Sequence, residues 1–209
     1  STKAYIAQLS VIHLIAIHLA SIRRTMSSYE IKEYLIELEN IPSKIEHILA
    51  SRNEIKELAT QFAHTQDMFF LGRGFDYNIA LEGSLKLKEI SYIHCEAYAA
   101  GELKHGTIAL IEEGTFVVAL CTQSFMVEKM ISNIKEVKAR GAKVLAIACE
   151  SSTQLKEVAD MTLFLPETPD ALVPILAVVP LQLFAYYCAI ERNCDVDKPR
   201  NLAKSVTVE

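Results

Sequence analysis

The sequence lacks the features that mark several large classes of protein. It has no Cys-x-x-Cys pair, and its five cysteines are odd in number and widely spaced: Cys95, Cys121, Cys149, Cys188 and Cys194. This pattern argues against a disulfide framework and a zinc site, and it predicts reduced thiols in a cytoplasmic protein. No basic stripe with interleaved aromatic residues is present and the net charge is −5, so we expect no nucleic-acid surface. No signal peptide, repeat or low-complexity tract is visible either.

What is present is a chain of 209 residues that is 51% hydrophobic and 22% charged. This composition is typical of a folded protein with a sizeable core, and the length suits one large domain with a substantial appendage. Two apolar stretches call for a membrane test. Residues 9–22 are too short to span a bilayer, and residues 172–190 are interrupted by two prolines and a glutamine. We expect both to be buried or dimer-facing helices, not membrane anchors.

From residue 67 onward, short apolar runs alternate with helical segments. The predicted strands lie near 68–71, 116–121, 143–149 and 161–165, and the main predicted helices at 77–93, 124–140 and 171–193. Residues 94–106 are interpreted as a connection between a helix and a strand. Continuous apolar strands separated by helices imply a parallel sheet covered on both faces. The predicted fold is therefore a three-layer α/β/α parallel sheet.

The segments outside this unit are helical before it and irregular after it. Residues 1–24 are predicted to form one helix outside the sheet, and residues 27–63 a helical connector that breaks near Pro42. The last fifteen residues have no helical period. The expected division is 1–52, 53–194 and 195–209. The abrupt beginning without methionine suggests a piece of a longer protein.

Ligands of such sheets bind beyond the carboxyl ends of the strands. Gly72-Arg73-Gly74 could hold a phosphate there through N–H groups and a guanidinium, or could be a plain tight turn. In CTQSF (121–125), the hydroxyls of Thr122 and Ser124 stand at a predicted helix start. They could bind an anion, but simple N-capping is the favoured interpretation.

The helix at 77–93 carries three charged residues on one face, because Glu82, Lys86 and Glu89 are spaced i, i+4 and i+7. A carboxylate beside an ammonium could move a proton next to a carbonyl group. The same spacing is typical of a solvated ladder of ion pairs. Spacing alone leaves both interpretations open.

The stretch HCEAYAAGELKHG (94–106) places five charged or titratable side chains among small residues: His94, Glu96, Glu102, Lys104 and His105. His105 could be an acid–base group for sugar-ring opening near neutral pH. His94 and His105 could equally be ordinary hydrogen-bonded histidines.

Three stretches together carry a resemblance: LGRG (71–74), ALEGSLKLKEISYIHCEAYAAGELKHG (80–106) and DVDKPRNLAKSVTVE (195–209). They resemble the glucosamine-6-phosphate synthases, the isomerising glutamine–fructose-6-phosphate aminotransferases of amino-sugar biosynthesis. In that family a glutaminase domain precedes two sugar-isomerase (SIS) modules. The chain is similar to the second module, preceded within residues 1–52 by the last helix of the first module and a connector. The resemblance implies fructose 6-phosphate and glucosamine 6-phosphate as ligands, a homodimer, and neither a cofactor nor a metal ion.

The resemblance also implies a role for individual residues. Glu89 matches the glutamate that shuttles a proton between C1 and C2 of the sugar. His105 matches the ring-opening histidine, which in the family reaches the site of the neighbouring subunit. Lys204 matches the lysine proposed to form a Schiff base with the open-chain ketose. Lys86 matches a lysine that lines the pocket, and Ser1 a serine that contacts the sugar.

Two functional classes remain after this comparison of motifs. The chain is either the isomerase half of such a synthase or a non-catalytic SIS module that binds sugar phosphates. The tail favours the enzyme, because a binding module needs no reactive lysine at Lys204 in addition to Glu89 and His105. The family's phosphate loop belongs to the first module, and CTQSF is its equivalent here. We therefore expect no glutamine-dependent synthesis by this chain alone.

Overall fold

The computed structural model describes residues 2–200, which form a parallel sheet with helices on both faces. The strands are β1 (Asp67–Gly72), β2 (His94–Ala99), β3 (Phe116–Cys121), β4 (Lys143–Cys149) and β5 (Met161–Leu165). The helices are α1 (Thr2–Arg23), α2 (Ser28–Glu39), α3 (Ile41–Ala50), α4 (Arg52–Phe62), α5 (Phe75–Ser91), α6 (Val127–Lys138) and α7 (Val173–Glu191). Short 3₁₀ turns occupy Leu103–His105, Thr107–Leu110, Ser124–Met126 and Thr153–Glu157.

The order of the strands is β2-β1-β3-β4-β5, and every neighbouring pair is parallel. β3 is buried along its whole length, as expected for a strand of continuous apolar residues with a helical layer on each face. The predicted three-layer α/β/α fold is confirmed. Because the chain moves to opposite sides of β1 to form β2 and β3, a crevice is expected at the carboxyl ends of β1 and β3.

β2 corrects the sequence-based interpretation of residues 94–106 as a connection. It pairs with β1 from Asp67 opposite His94 to Gly72 opposite Ala99. β2 is an edge strand, so its polar residues His94, Glu96 and Tyr98 alternate with small residues instead of forming a continuous apolar run. The connection to the next strand therefore begins at Ala100, at the carboxyl end of the sheet.

The sheet packs against α4, α5 and α7 on one face and against α6 and 3₁₀ turns on the other. Phe62 of α4 stacks on Phe116 of β3, with ring centroids 3.8 Å apart. α5 and α7 approach closely at Gly83, where a Cβ atom would lie 2.6 Å from Leu181 Cδ1. The absence of a side chain at Gly83 therefore sets the separation of these two helices.

Among residues 2–200, two helices are long and apolar enough to cross a membrane by length and composition, α1 and α7. α7 is largely buried between the sheet and its neighbouring helices, as predicted for a packing helix. α1 buries only Ile17 and packs against α2 and α7. The predicted burial of this helix is therefore not observed within residues 2–200. Three of its apolar side chains, Ile12, Ile15 and Ile22, are more than half exposed. A dimer-facing role for this helix stays a prediction.

Candidate active site

Three charged side chains gather on the part of α5 that faces away from the sheet. Lys86 Nζ lies 2.5 Å from Glu89 Oε2, one turn later, and 3.8 Å from Glu82 Oε1, one turn earlier. Leu87, on the other side of α5, is fully buried in the core. The helix therefore holds an ammonium group between two carboxylates, and we call these three residues the α5 cluster.

The α5 cluster differs from an ordinary surface ladder because its cation is largely removed from water. The Lys86 side chain is 10% exposed and that of Glu82 is 16% exposed, whereas Glu89 keeps 48% of its surface in solvent. Burial raises the pKa of Glu82, the charge of Lys86 lowers it, and the charge of Glu89 raises it further. Glu89 thus has a carboxylate that a ligand can reach, held beside a largely buried cation.

The two histidines near β2 lie at opposite ends of the sheet. His94 opens β2, and its Nδ1 lies 2.5 Å from Asp67 Oδ1 at the start of β1. His105 follows the carboxyl end of β2, in a 3₁₀ turn, with its side chain 65% exposed and its Nε2 4.0 Å from Glu102 Oε2. Only His105 is therefore at the end of the sheet where ligands bind. Within residues 2–200, His105 forms no ion pair with Glu82 or Glu89.

The Gly72-Arg73-Gly74 turn connects β1 to α5 and brings them close together. A Cβ atom at Gly72 would lie 2.3 Å from the carbonyl carbon of Asp76, so the turn requires glycine for the close approach of strand and helix. Arg73 Nε donates to Asn133 Oδ1 of α6 at 3.0 Å, and the guanidinium packs against Gly101. Through these contacts Arg73 links the turn after β1 to α6 and to the loop at Gly101. They support the tight-turn interpretation over a phosphate site.

The loop CTQSF is held by a buried carboxylate that sequence reasoning missed. Asp76, in the first turn of α5, is fully buried and accepts hydrogen bonds from Thr122 N (2.8 Å) and Thr122 Oγ1 (2.5 Å). The backbone N–H of Gln123 also donates to Asp76. Burial raises the pKa of Asp76 to about 6, although these hydrogen bonds lower it. Nothing in the local sequence marks Asp76, because its partners are 46 residues away.

The N-capping prediction for this loop is wrong. Neither the 3₁₀ turn at Ser124 nor α6 has a side-chain cap hydrogen bond. The Ser124 hydroxyl instead donates to Asp170 Oδ2 at 2.9 Å, and Thr122 is occupied by Asp76. The α-helix consequently begins at Val127, three residues later than predicted. Acidic side chains of this chain thus accept hydrogen bonds from Thr122 and Ser124, which follow the carboxyl end of β3.

A cavity of about 240 Å³ lies beside this crevice, between α1 and the first turns of α5 and α7. Its lining is mainly apolar and consists of Tyr5, Leu9, His13, Phe75, Asn78, Ile79, Ala171 and Pro174. His13 Nδ1 is 2.8 Å from Tyr34 Oη, and burial lowers the pKa of His13. An apolar cavity with a neutral imidazole is poorly matched to a sugar phosphate.

Comparison with known proteins decides the family. The family model described as "SIS domain" matches residues 61–192, which contain the whole sheet and most of its helices. The chain belongs to the SIS domain family. The boundaries drawn from the sequence, 53–194 for this module and 195–209 for a separate tail, remain proposals.

Related sequences and structures refine this assignment. The SIS chain is 56% identical over all 209 residues to the isomerising glutamine–fructose-6-phosphate aminotransferases of Caldanaerobacter subterraneus subsp. tengcongensis and Clostridium acetobutylicum. It spans 34% of the length of each relative. The solved C-terminal domain of glucosamine-fructose-6-phosphate aminotransferase from Francisella tularensis shows 37% identity and a TM-score of 0.90, over 95% of this chain and 56% of that one. The resemblance inferred from the three motifs is therefore confirmed.

A glucosamine-6-phosphate deaminase from Thermotoga maritima is more distant, with 27% identity and a TM-score of 0.64 over 95% of this chain and 56% of that one. The structure brings together two of the predicted catalytic residues of the SIS chain, Lys86 and Glu89. It places His105 apart from them. Ser1 and Lys204 lie outside the described residues.

Proposed function

We propose that this chain is the isomerase part of an enzyme that forms glucosamine 6-phosphate from fructose 6-phosphate and glutamine-derived ammonia. The observation that carries the proposal is the α5 cluster, a largely buried Lys86 between Glu82 and Glu89. It occurs in a chain 56% identical to isomerising aminotransferases. A surface ladder has no need to bury its cation, because an exposed pair contributes only about 0–1 kcal/mol.

In this proposal Glu89 acts as the base that moves a proton between adjacent carbons of the open-chain sugar. Its carboxylate takes the proton from C1 and returns it to C2, so it ends the step ionised as it began. Lys86 holds that carboxylate in place through the 2.5 Å contact. Glu82, whose pKa burial raises, lies on the other side of the ammonium. It balances the charge of Lys86 when Glu89 is protonated.

His105 and Lys204 complete the proposed site from other segments. The exposed imidazole of His105 is available to a neighbouring subunit, which supports the family's arrangement of a site shared across a homodimer. Lys204 supplies the amine for a Schiff base. It follows Arg200 by four residues, a separation that an extended chain spans in at most about 14 Å. Arg200 contacts Tyr92, three residues after Glu89, so the tail starts close to the α5 cluster.

The proposed partners are a glutaminase domain and a first SIS module. The apolar surface of α1, exposed at Ile12, Ile15 and Ile22, is proposed to pack against that first module. This division also explains how the phosphate is held. The hydroxyls of Thr122 and Ser124, the candidate anion donors of the present module, are engaged by Asp76 and Asp170, so we assign phosphate binding to the other module. The same observation argues against a non-catalytic SIS module that binds sugar phosphates in its own crevice.

The proposal is tested in a chimera in which this chain replaces the aligned third of the Caldanaerobacter subterraneus relative. Glu89→Gln should lower glucosamine 6-phosphate formation by at least about 100-fold, because an amide cannot accept the proton. Fructose 6-phosphate binding and glutamine hydrolysis should be retained. Glu128→Gln, on the exposed first turn of α6, is the matched control and should behave as wild type. Comparable turnover for the Glu89 variant and wild type would leave Glu89 only an ion-pair role.

A further inference from the structure

Tyr92 ends α5 in a backbone conformation that is unfavourable for a tyrosine. Its φ is 60° and its ψ is 20°, the left-handed region in which glycine or asparagine usually terminates a helix. Strained backbone of this kind persists where the surrounding structure requires it, and it is concentrated at functional positions. We therefore expect a specific contact of the Tyr92 side chain to maintain this backbone conformation.

That contact is with the segment that follows α7. The backbone N–H of Arg200 donates to Tyr92 Oη at 2.9 Å, and the Arg200 guanidinium carbon lies 4.1 Å from the centroid of the Tyr92 ring. Tyrosine thus binds Arg200 in two independent ways, through its hydroxyl oxygen and through its ring face. These contacts join positions 108 residues apart in the sequence.

The chain between α7 and Arg200 is directed towards Tyr92 by local hydrogen bonds. Cys194 N donates to Ala189 O at 2.8 Å, closing the end of α7. Asp195 Oδ1 then accepts from Asp197 N at 3.0 Å and from Lys198 N at 2.9 Å, a side-chain turn that redirects the backbone. The segment therefore reaches the end of α5 along a defined path.

We propose that Tyr92 and Arg200 form a clamp that anchors the C-terminal segment beside Glu89 and so positions Lys204 for the reaction. The positioning role rests on the proposed function, whereas the clamp itself does not. Tyr92 is a positioning residue in this scheme, because it acts through the tail and touches no reacting atom. The left-handed conformation aims its side chain across the end of α5, and this accounts for tyrosine at a position suited to glycine.

The clamp is tested by trypsin cleavage after Arg200 in the 209-residue chain. Trypsin must take the arginine side chain into its specificity pocket, so Arg200 has to leave Tyr92 before the chain is cut. Proteolysis of this kind measures the population of the open form. Tyr92→Gly accepts the left-handed backbone while removing both contacts, and it should raise the rate of cleavage after Arg200 about tenfold. Tyr92→Phe keeps the ring and should give a smaller increase.

The control is cleavage after Arg24, an exposed residue between α1 and α2, measured in the same digests by mass spectrometry. It should not change among the variants. Equal rates of cleavage after Arg200 in wild type and Tyr92→Gly would overturn the clamp. A parallel increase at Arg24 and Arg200 would also overturn it, since that result reports general unfolding.

The positioning role is tested separately in the chimera described above. Tyr92→Gly should lower kcat for glucosamine 6-phosphate formation at least tenfold with little change in KM for fructose 6-phosphate, and Tyr92→Phe should recover most of the loss. Full activity of Tyr92→Gly alongside an inactive Lys204→Arg variant would overturn positioning while leaving the proposed function intact. An active Lys204→Arg variant would instead remove Lys204 from the proposed function. The positioning role would then be lost with it, and the trypsin result alone would decide the clamp.

Discussion

Replacing Asp76 by asparagine should change how the stability of the chain depends on pH. Asp76 is fully buried and its pKa is raised to about 6 by burial, against an ordinary value of 3.8. Each pH unit of that difference corresponds to about 1.4 kcal/mol, so the ionised carboxylate costs the folded state about 3 kcal/mol. Asparagine has nearly the same shape but carries no charge at any pH.

The sign follows from the raised pKa. The stability that Asp76 contributes is fully present below its unfolded pKa, near 3.8, and is lost as the pH rises through its folded pKa, near 6. Relative to Asp76→Asn, the wild type should therefore lose about 2–3 kcal/mol of unfolding free energy between pH 4 and pH 7. The variant loses part of the hydrogen bonding to Thr122 and Gln123, but this cost is the same at every pH.

The assay is urea unfolding of both proteins at several pH values between 4 and 7. Asp160→Asn is an informative control, because the pKa of Asp160 is lowered: burial raises it, but hydrogen bonds from Lys138 and Val144 N outweigh burial. Stability from Asp160 should be lost as the pH falls, the opposite sign. If the Asp76 difference is flat, or favours wild type as the pH rises, the hydrogen bonds outweigh burial and our reasoning about the crevice is wrong.

Three further predictions concern the tail, the isolated chain and the glycines. In the chimera, Lys204→Arg should abolish isomerisation with the fold intact, because a guanidinium keeps the charge but forms no imine, and borohydride with fructose 6-phosphate should trap an adduct on wild-type Lys204 only. The 209-residue chain alone should form no glucosamine 6-phosphate from glutamine and fructose 6-phosphate; measurable turnover would contradict the assignment of phosphate binding to another module. Gly72→Ala should destabilise by about 3 kcal/mol or more in urea unfolding, because its Cβ would meet immobile backbone at 2.3 Å. Gly101→Ala should cost only about 1 kcal/mol, because its Cβ would meet the movable end of Arg73 at 2.8 Å; equal losses would contradict this distinction.

The central strands could be predicted because burial on both faces leaves a continuous apolar run, as in the residues of β3. β2 was missed because an edge strand retains polar residues such as His94 and Glu96. Its alternation with Cys95 and Ala97 was the available signal for a strand.

The site was predictable where its residues are neighbours on one helix. Spacing showed that Lys86 and Glu89 share a face, but the burial of Lys86 depends on how α5 packs in the fold. The links from Asp76 to Thr122 and from Tyr92 to Arg200 join distant parts of the chain, and no local pattern announces such pairs.

The close crossing of α5 and α7 at Gly83 has a consequence for how sequences of this kind can diverge. Glycine inside a helix costs about 0.5–1 kcal/mol relative to alanine, so helix propensity alone would favour a methyl group at this position. That methyl group would push against Leu181 and shift α5, and with it Glu82, Lys86 and Glu89 on the side facing away from the sheet. A displacement of about 1 Å is enough to cost an enzyme about 100-fold in rate. The placement of the charged face thus depends on the crossing with α7 at Gly83, and a substitution there can cost the chemistry more than it costs the stability of the fold.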